Sequence, residues 1–187
     1  MVLLTIALSI FILTHLVPAF PALKMALIAK LGRTGYIAAF STFSLFSLGL
    51  VIYAKIESPF IDVYAPPAWS RYFALTLMLP ATILIVASFL PGHIRKIVRR
   101  PIFYATLLWV IAHLVANGDK ASIVLFASLG IYAFVSEALM KKYRKTISPD
   151  DKKVYLWADI TALTVGTFAY ATLIYLHEYI IGVDIWY

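Results

Sequence analysis

The chain has 187 residues, 63% of them hydrophobic, and a mean hydropathy of +0.90, which excludes a soluble domain because so much apolar surface has nowhere to hide from water. Its net charge of +7 lies in short segments between long uncharged runs, the positive-inside pattern of membrane proteins and not the field of a nucleic-acid-binding domain. There is no cysteine, which removes disulfides, thiolate metal sites and cysteine nucleophiles.

In chain order, six apolar segments are long enough to span or nearly span about 30 Å of hydrocarbon at 1.5 Å per residue. They cover roughly 2–20, 34–54, 72–91, 101–117, 120–140 and 155–180. The expected fold is therefore all-α, a polytopic membrane bundle of about six helices forming one domain over 1–187. The first apolar run, Val2 to Leu23, lacks a basic n-region and is too long for a signal-peptide h-region. It reads as a retained helix.

Loop charge sets the orientation. Lys24, Lys30 and Arg33 follow the first segment. After the second, Lys55, Glu57, Asp62 and Arg71 nearly cancel. His93, Arg95, Lys96, Arg99 and Arg100 follow the third, and only Asp119 and Lys120 the fourth. The fifth is followed by Lys141, Lys142, Arg144, Lys145, Lys152 and Lys153 against Asp150 and Asp151, while the tail adds Glu178 and Asp184. Basic and neutral loops alternate, which places both termini outside and the basic loops in the cytoplasm of a bacterial inner membrane. The second loop, Ser58 to Trp69, is rich in proline and aromatics. It reads as an interfacial loop or as the cap of an outward-facing cavity.

The fourth segment is the most informative: Arg-Arg-Pro-Ile-Phe-Tyr-Ala-Thr-Leu-Leu-Trp-Val-Ile-Ala-His-Leu-Val-Ala-Asn-Gly-Asp, from Arg99 to Asp119. Pro101 suits a helix start, and Asn117-Gly118 suits a stop in which glycine turns left-handed. Between them stands one imidazole, His113, about 18 Å from the cytoplasmic end. His15, on an inward-running first helix, lies about 18–21 Å from the outer face, hence about 9–12 Å from the inner one. Both are expected near mid-membrane, whereas His93 falls in a cytoplasmic loop and His177 near the outer surface.

Two neutral imidazoles facing across a gap suit one metal, and haem iron is the metal whose apolar macrocycle fits between helices. The alternative is that each ring only hydrogen-bonds a neighbouring helix. Thr106, Trp109, His113 and Asn117 share a helical face, so a threonine or asparagine is a candidate to fix the ring's tautomer, against ordinary packing and helix-end roles. Ser41, Ser44 and Ser47 form a small-residue stripe of the kind that lets helices approach, with contact to a substrate as the alternative. Glu137 and Asp159 lie near the cytoplasmic boundary, within reach of interfacial cations.

These residues together resemble the NnrU family of integral membrane proteins, which includes zeta-carotene isomerase. The family pattern Arg-His-Pro, Leu-Trp, Ala-His-Leu, Asn-Gly-Asp reads here as Arg99-Arg100-Pro101, Leu108-Trp109, Ala112-His113-Leu114, Asn117-Gly118-Asp119. His15, the run from Tyr36 to Leu50, the Tyr64-Ala65-Pro66 loop and the closing His177 to Gly182 also match. Arg100 replaces the histidine of Arg-His-Pro, and Glu178 stands where the family favours proline, so no ligand role carries to position 100. The resemblance implies haem b with His15 and His113 as ligands, and either a hydrophobic polyene substrate for double-bond isomerisation or a link to denitrification and nitric oxide metabolism. Two other classes compete. One is an S-adenosylmethionine-dependent methyltransferase of the isoprenylcysteine type, from which the missing histidine, Tyr104 and the lone Glu137 depart. The other is a non-catalytic assembly factor of a respiratory complex.

Overall fold

The computed structural model describes residues 1–144 and 153–182. Lys142, Arg144, Lys145, Asp150, Asp151, Lys152 and Asp184, used above to orient the chain, therefore contribute side chains that lie outside the described residues. Seven α-helices occur among the described residues: α1 Val2–Leu16, α2 Pro21–Ile56, α3 Ser70–Ala87, α4 His93–Val98, α5 Pro101–Ala116, α6 Lys120–Arg144 and α7 Leu156–Ile181. Five helical stretches are long and apolar enough to cross a membrane, and α5 is a shorter apolar helix. The polytopic all-helical architecture expected from the sequence is what the chain adopts.

Helix α1 runs into a short 3-10 turn at Val17–Ala19, with Pro18 supplying no backbone donor. The basic segment after it, expected as a loop, is helical. Pro21 starts it at a position where proline costs no hydrogen bond, and the Ala, Leu and Lys that follow are strong helix formers. Gly32, at φ 71°, then kinks α2 into 21–31 and 33–56, a backbone state open to glycine and strained for other residues.

The helices are ordered α2, α1, α6, α5, α3, α7 by their packing, with α5 on α3 as the most extensive contact and α4 bridging α3, α5 and α7. One core gathers Leu4, Ala7 and Leu8 of α1, Val51 and Ala54 of α2, Val110 of α5, and Ala121, Leu125, Phe126 and Leu129 of α6. Alanine recurs at the most buried positions. In lipid, apolar side chains gain little by leaving one hydrocarbon for another, so small residues that let backbones approach carry the association. Gly166 shows this at the α3–α7 crossing, where a β-carbon would come within 2.6 Å of the Ile83 α-carbon. The large exposed side chains, such as Phe43, Leu45, Phe46, Phe168 and Tyr175, face the bilayer.

Candidate functional site

The Arg99–Asp119 stretch folds as its punctuation suggests, with one correction at its end. Pro101 occupies the first turn of α5, entered through Arg99 at φ 59° and Arg100 in a non-helical conformation. At the other end Gly118 is not left-handed; among described glycines only Gly32 and Gly182 have positive φ. The helix stops because Asn117 is extended, while its backbone N–H and its Nδ2 both donate to the His113 carbonyl at 2.9 Å. Gly118 answers a different need. Its α-carbon abuts the Tyr64 carbonyl, where a side chain has no space.

That contact is part of a clasp between the second loop and the α5–α6 turn. The N–H groups of Val63 and Tyr64 donate to the Gly118 carbonyl at 2.9 and 3.2 Å, and the Lys120 N–H donates to Ile61 O at 2.8 Å. Asp62 and Asp119 form an isolated antiparallel bridge. The Tyr64 hydroxyl donates to the carbonyls of Leu114 and Asn117, two of the acceptors that a helix end leaves unsatisfied. Asp119 caps α6, accepting the Ser122 N–H at 3.0 Å, and pairs with Lys55 of α2 at 3.1 Å. Burial pushes its carboxyl up, but the Ser122 and Lys55 bonds outweigh burial and hold it below the usual range. The Tyr64 phenol is raised, by burial first and then by the Asp119 charge. Beside the clasp a recess of about 450 Å³ is lined by Pro66, Pro67, Ala68, Ser70, Arg71, Tyr72 and Ala116. The loop thus both covers the α5–α6 turn and borders a cavity.

The candidate ligands lie in apolar, aromatic surroundings. His113 is partly buried, stacks on Phe126 of α6 at 4.4 Å, and meets the edge of Trp109 at 5.8 Å. Its Nδ1 donates to the Trp109 carbonyl at 2.9 Å. His15 stacks on Phe11 at 4.0 Å, and its Nδ1 donates to the Phe11 carbonyl at 2.8 Å. A carbonyl only accepts, so both rings carry their proton on Nδ1 and leave the Nε2 lone pair as donor. At His15 that lone pair accepts from the Ser44 hydroxyl at 3.0 Å.

The residues expected to orient His113 act differently from the expectation. Asn117 bonds its backbone, not its ring, and Thr106 bonds the Ile102 carbonyl. Trp109 orients the ring through its backbone carbonyl, which takes the Nδ1 proton. Sequence reasoning gave Ser44 a packing role, with substrate contact as the alternative, and no bond to His15. A serine hydroxyl one helix away from a buried histidine was the available signal.

The two imidazoles do not share a level. His113 meets Phe126, while His15 lies beside Tyr132, whose hydroxyl donates to the His15 carbonyl at 3.4 Å. Six residues separate Phe126 from Tyr132, about 9 Å along α6 and about 120° around it. The mid-membrane coincidence fails because α5 is short and places His113 three residues from its end, while α1 carries His15 deep towards its own C-terminus. His113 lies instead within electrostatic range of His177 on α7.

Asp159 and Glu137 each join two helices. Asp159 accepts from the N–H groups of His93 and Ile94, each at 2.9 Å, and from His93 Nδ1 at 2.7 Å, tying α4 to α7. Glu137 pairs with Arg100 at 2.9 Å, so the residue replacing the family's histidine holds α5 to α6. Among the described residues, no group of three or more His, Asp or Glu side chains gathers around one metal position.

A family model described as NnrU protein matches residues 3–185. No curated protein and no solved structure matches the chain.

Proposed function

The chain belongs to the NnrU family, and on that premise we propose that it is a haem b-binding protein of the bacterial cytoplasmic membrane, with His113 and His15 as the imidazole donors. One observation carries the reading: both rings have Nδ1 anchored to the carbonyl one turn back, which fixes the tautomer whose Nε2 carries the ligating lone pair, at His15 in competition with the Ser44 hydroxyl. Each imidazole is a donor that suits haem iron, and the aromatic walls (Phe11 and Phe40 at His15, Trp109 and Phe126 at His113) suit an apolar macrocycle. Because the two rings stand at different levels of α6, each would hold iron at its own level and not as a facing pair. Bound there, haem would supply an iron site for nitric oxide or for a double bond of a hydrophobic polyene.

The chain's own residues do the holding. Trp109 and Phe11 orient the rings through their carbonyls, Ser44 occupies the His15 lone pair, and the Tyr64 clasp fixes the end of α5 that carries His113. The role assigned is therefore haem-dependent, in denitrification and nitric oxide metabolism or in polyene isomerisation. Absorption spectra of the detergent-purified protein, oxidised and dithionite-reduced, with a pyridine haemochrome assay, test it. A Soret band lost or weakened in His15→Ala and in His113→Ala, and kept in His93→Ala, is the expected result. A colourless protein that refuses haem on reconstitution overturns the reading. Nitric oxide-induced shifts of the Soret band and isomer analysis of an added cis-polyene then separate the two roles.

A further inference from the structure

The segment 89–99, between α3 and α5, combines unpaired cations with exposed apolar side chains. Arg95, Lys96 and Arg99 are exposed and make no ion pair among the described residues. Their neighbours differ: His93 is bound by Asp159 and Arg100 by Glu137. Phe89 is 75% exposed and Ile97 79% exposed, at the end of two membrane helices and so at the level where hydrocarbon gives way to headgroups.

The segment is also held in shape. Asp159 takes the N–H groups of His93 and Ile94, and the Tyr155 N–H donates to Pro91 O at 2.9 Å. Gly92 is packed so closely on the Asp159 carboxylate that a side chain would not fit. Arg99 is kept at φ 59°, a left-handed state that a residue with a β-carbon adopts only when its surroundings impose it. A framed loop loses little conformational freedom when it binds.

We propose that segment 89–99 is a binding site for an anionic phospholipid of the cytoplasmic leaflet, with Arg95, Lys96 and Arg99 at the phosphate and Phe89 and Ile97 against the acyl chains. A free phosphate would use the cations and leave the two apolar side chains in water. A phospholipid presents both chemistries in one molecule, as the segment does, and each cation near such a surface strengthens binding by roughly five-fold.

The test is native mass spectrometry of the delipidated full-length protein in detergent, titrated with dioleoyl phosphatidylglycerol or dioleoyl phosphatidylcholine. The wild type is expected to bind the anionic lipid at least about ten-fold more tightly, with a preference that falls as salt rises. The variant R95Q/K96Q/R99Q is expected to lose most of the preference at an unchanged thermal unfolding temperature, and Lys120→Gln at the opposite face to keep it. Should the triple variant not fold, the three single substitutions each lower the preference a few-fold. Phe89→Ser with Ile97→Ser weakens both lipids. Equal binding of the two lipids by the wild type, or a preference that survives removal of the three cations, overturns the proposal. So does displacement of the anionic lipid by millimolar inorganic phosphate with no effect of the Phe89 and Ile97 changes, which would mark a free-anion site.

Discussion

The α-carbon of Gly118 lies against the backbone carbonyl of Tyr64, so the second loop and the α5–α6 turn meet with no side chain between them. Two sequence motifs far apart in the chain, Tyr64-Ala65-Pro66 and Asn117-Gly118-Asp119, are therefore one structural unit. Gly118→Ala forces a methyl group into backbone and is expected to destabilise the protein by about 1–3 kcal/mol. Gly49 is the control: it lies in α2 with open space where its β-carbon would be, and Gly49→Ala is expected to be neutral or slightly stabilising. Thermal unfolding of both variants in detergent makes the comparison, and equal unfolding temperatures would remove the clasp from the account.

Asp119 makes the same unit sensitive to acid. Its carboxyl is held below the ordinary value of 3.8 by Ser122 and Lys55, against the opposing effect of burial. The ionised form is thus favoured by folding, so its contribution is complete above pH 3.8 and is lost as pH falls through the lower folded-state value. Asp119→Asn keeps a capping oxygen and loses the charge. It is expected to be less stable than wild type by about 1 kcal/mol at pH 7, with the gap closing below pH 3.8. A gap that stayed constant as the pH fell well below 3.8 would show that the charge contributes nothing.

How much of this was legible in the sequence depends on range. The spanning segments were, because length and hydropathy are local properties and the bilayer fixes the length required. Pro101 and the Asn117 stop were readable for the same reason. The role of Gly118 was not, since a close approach by Tyr64 is a contact over fifty residues and resembles a left-handed stop when seen from the sequence alone. Depth failed because the sequence gives each histidine's distance along its own helix but not how α1 and α5 are offset against α6. The segment 21–31 reads as a loop in the sequence because its lysines break the apolar run, whereas Ala, Leu and Lys are strong helix formers after Pro21. The pairing of Arg100 with Glu137 joins two helices whose adjacency no local pattern encodes.

That pair gives a directional prediction. The Glu137 side chain is 12% exposed and that of Arg100 34% exposed. Removing the cation leaves a mostly buried carboxylate without this guanidinium, whereas removing the anion leaves a guanidinium with better access to water. Arg100→Gln is therefore expected to destabilise more than Glu137→Gln, and the double variant less than the sum of the two, with a coupling of about 1 kcal/mol or more. Unfolding in detergent across the four proteins measures it, and strict additivity would mean that the pair contributes no interaction of its own.

The last prediction concerns the hydrogen bond between Ser44 Oγ and His15 Nε2. Under the haem reading, iron and the Ser44 hydroxyl compete for one lone pair. Ser44→Ala removes the competitor while leaving the Phe11 carbonyl to hold the tautomer. A single hydrogen bond of this kind contributes about 1 kcal/mol, so haem affinity is expected to rise about five-fold in Ser44→Ala and to fall in His15→Ala. Titration of the haem-free protein, followed by Soret absorbance, reads both. Nitrogen chemical shifts of His15 in the haem-free protein give an independent measure, since loss of the serine donor changes the environment of Nε2 and leaves Nδ1 protonated. If wild type takes up haem through His15 and Ser44→Ala binds it no more tightly, the hydroxyl already yields without cost. If neither histidine variant affects uptake, the ligand assignment itself falls, and the His15–Ser44 bond is then a packing contact between α1 and α2.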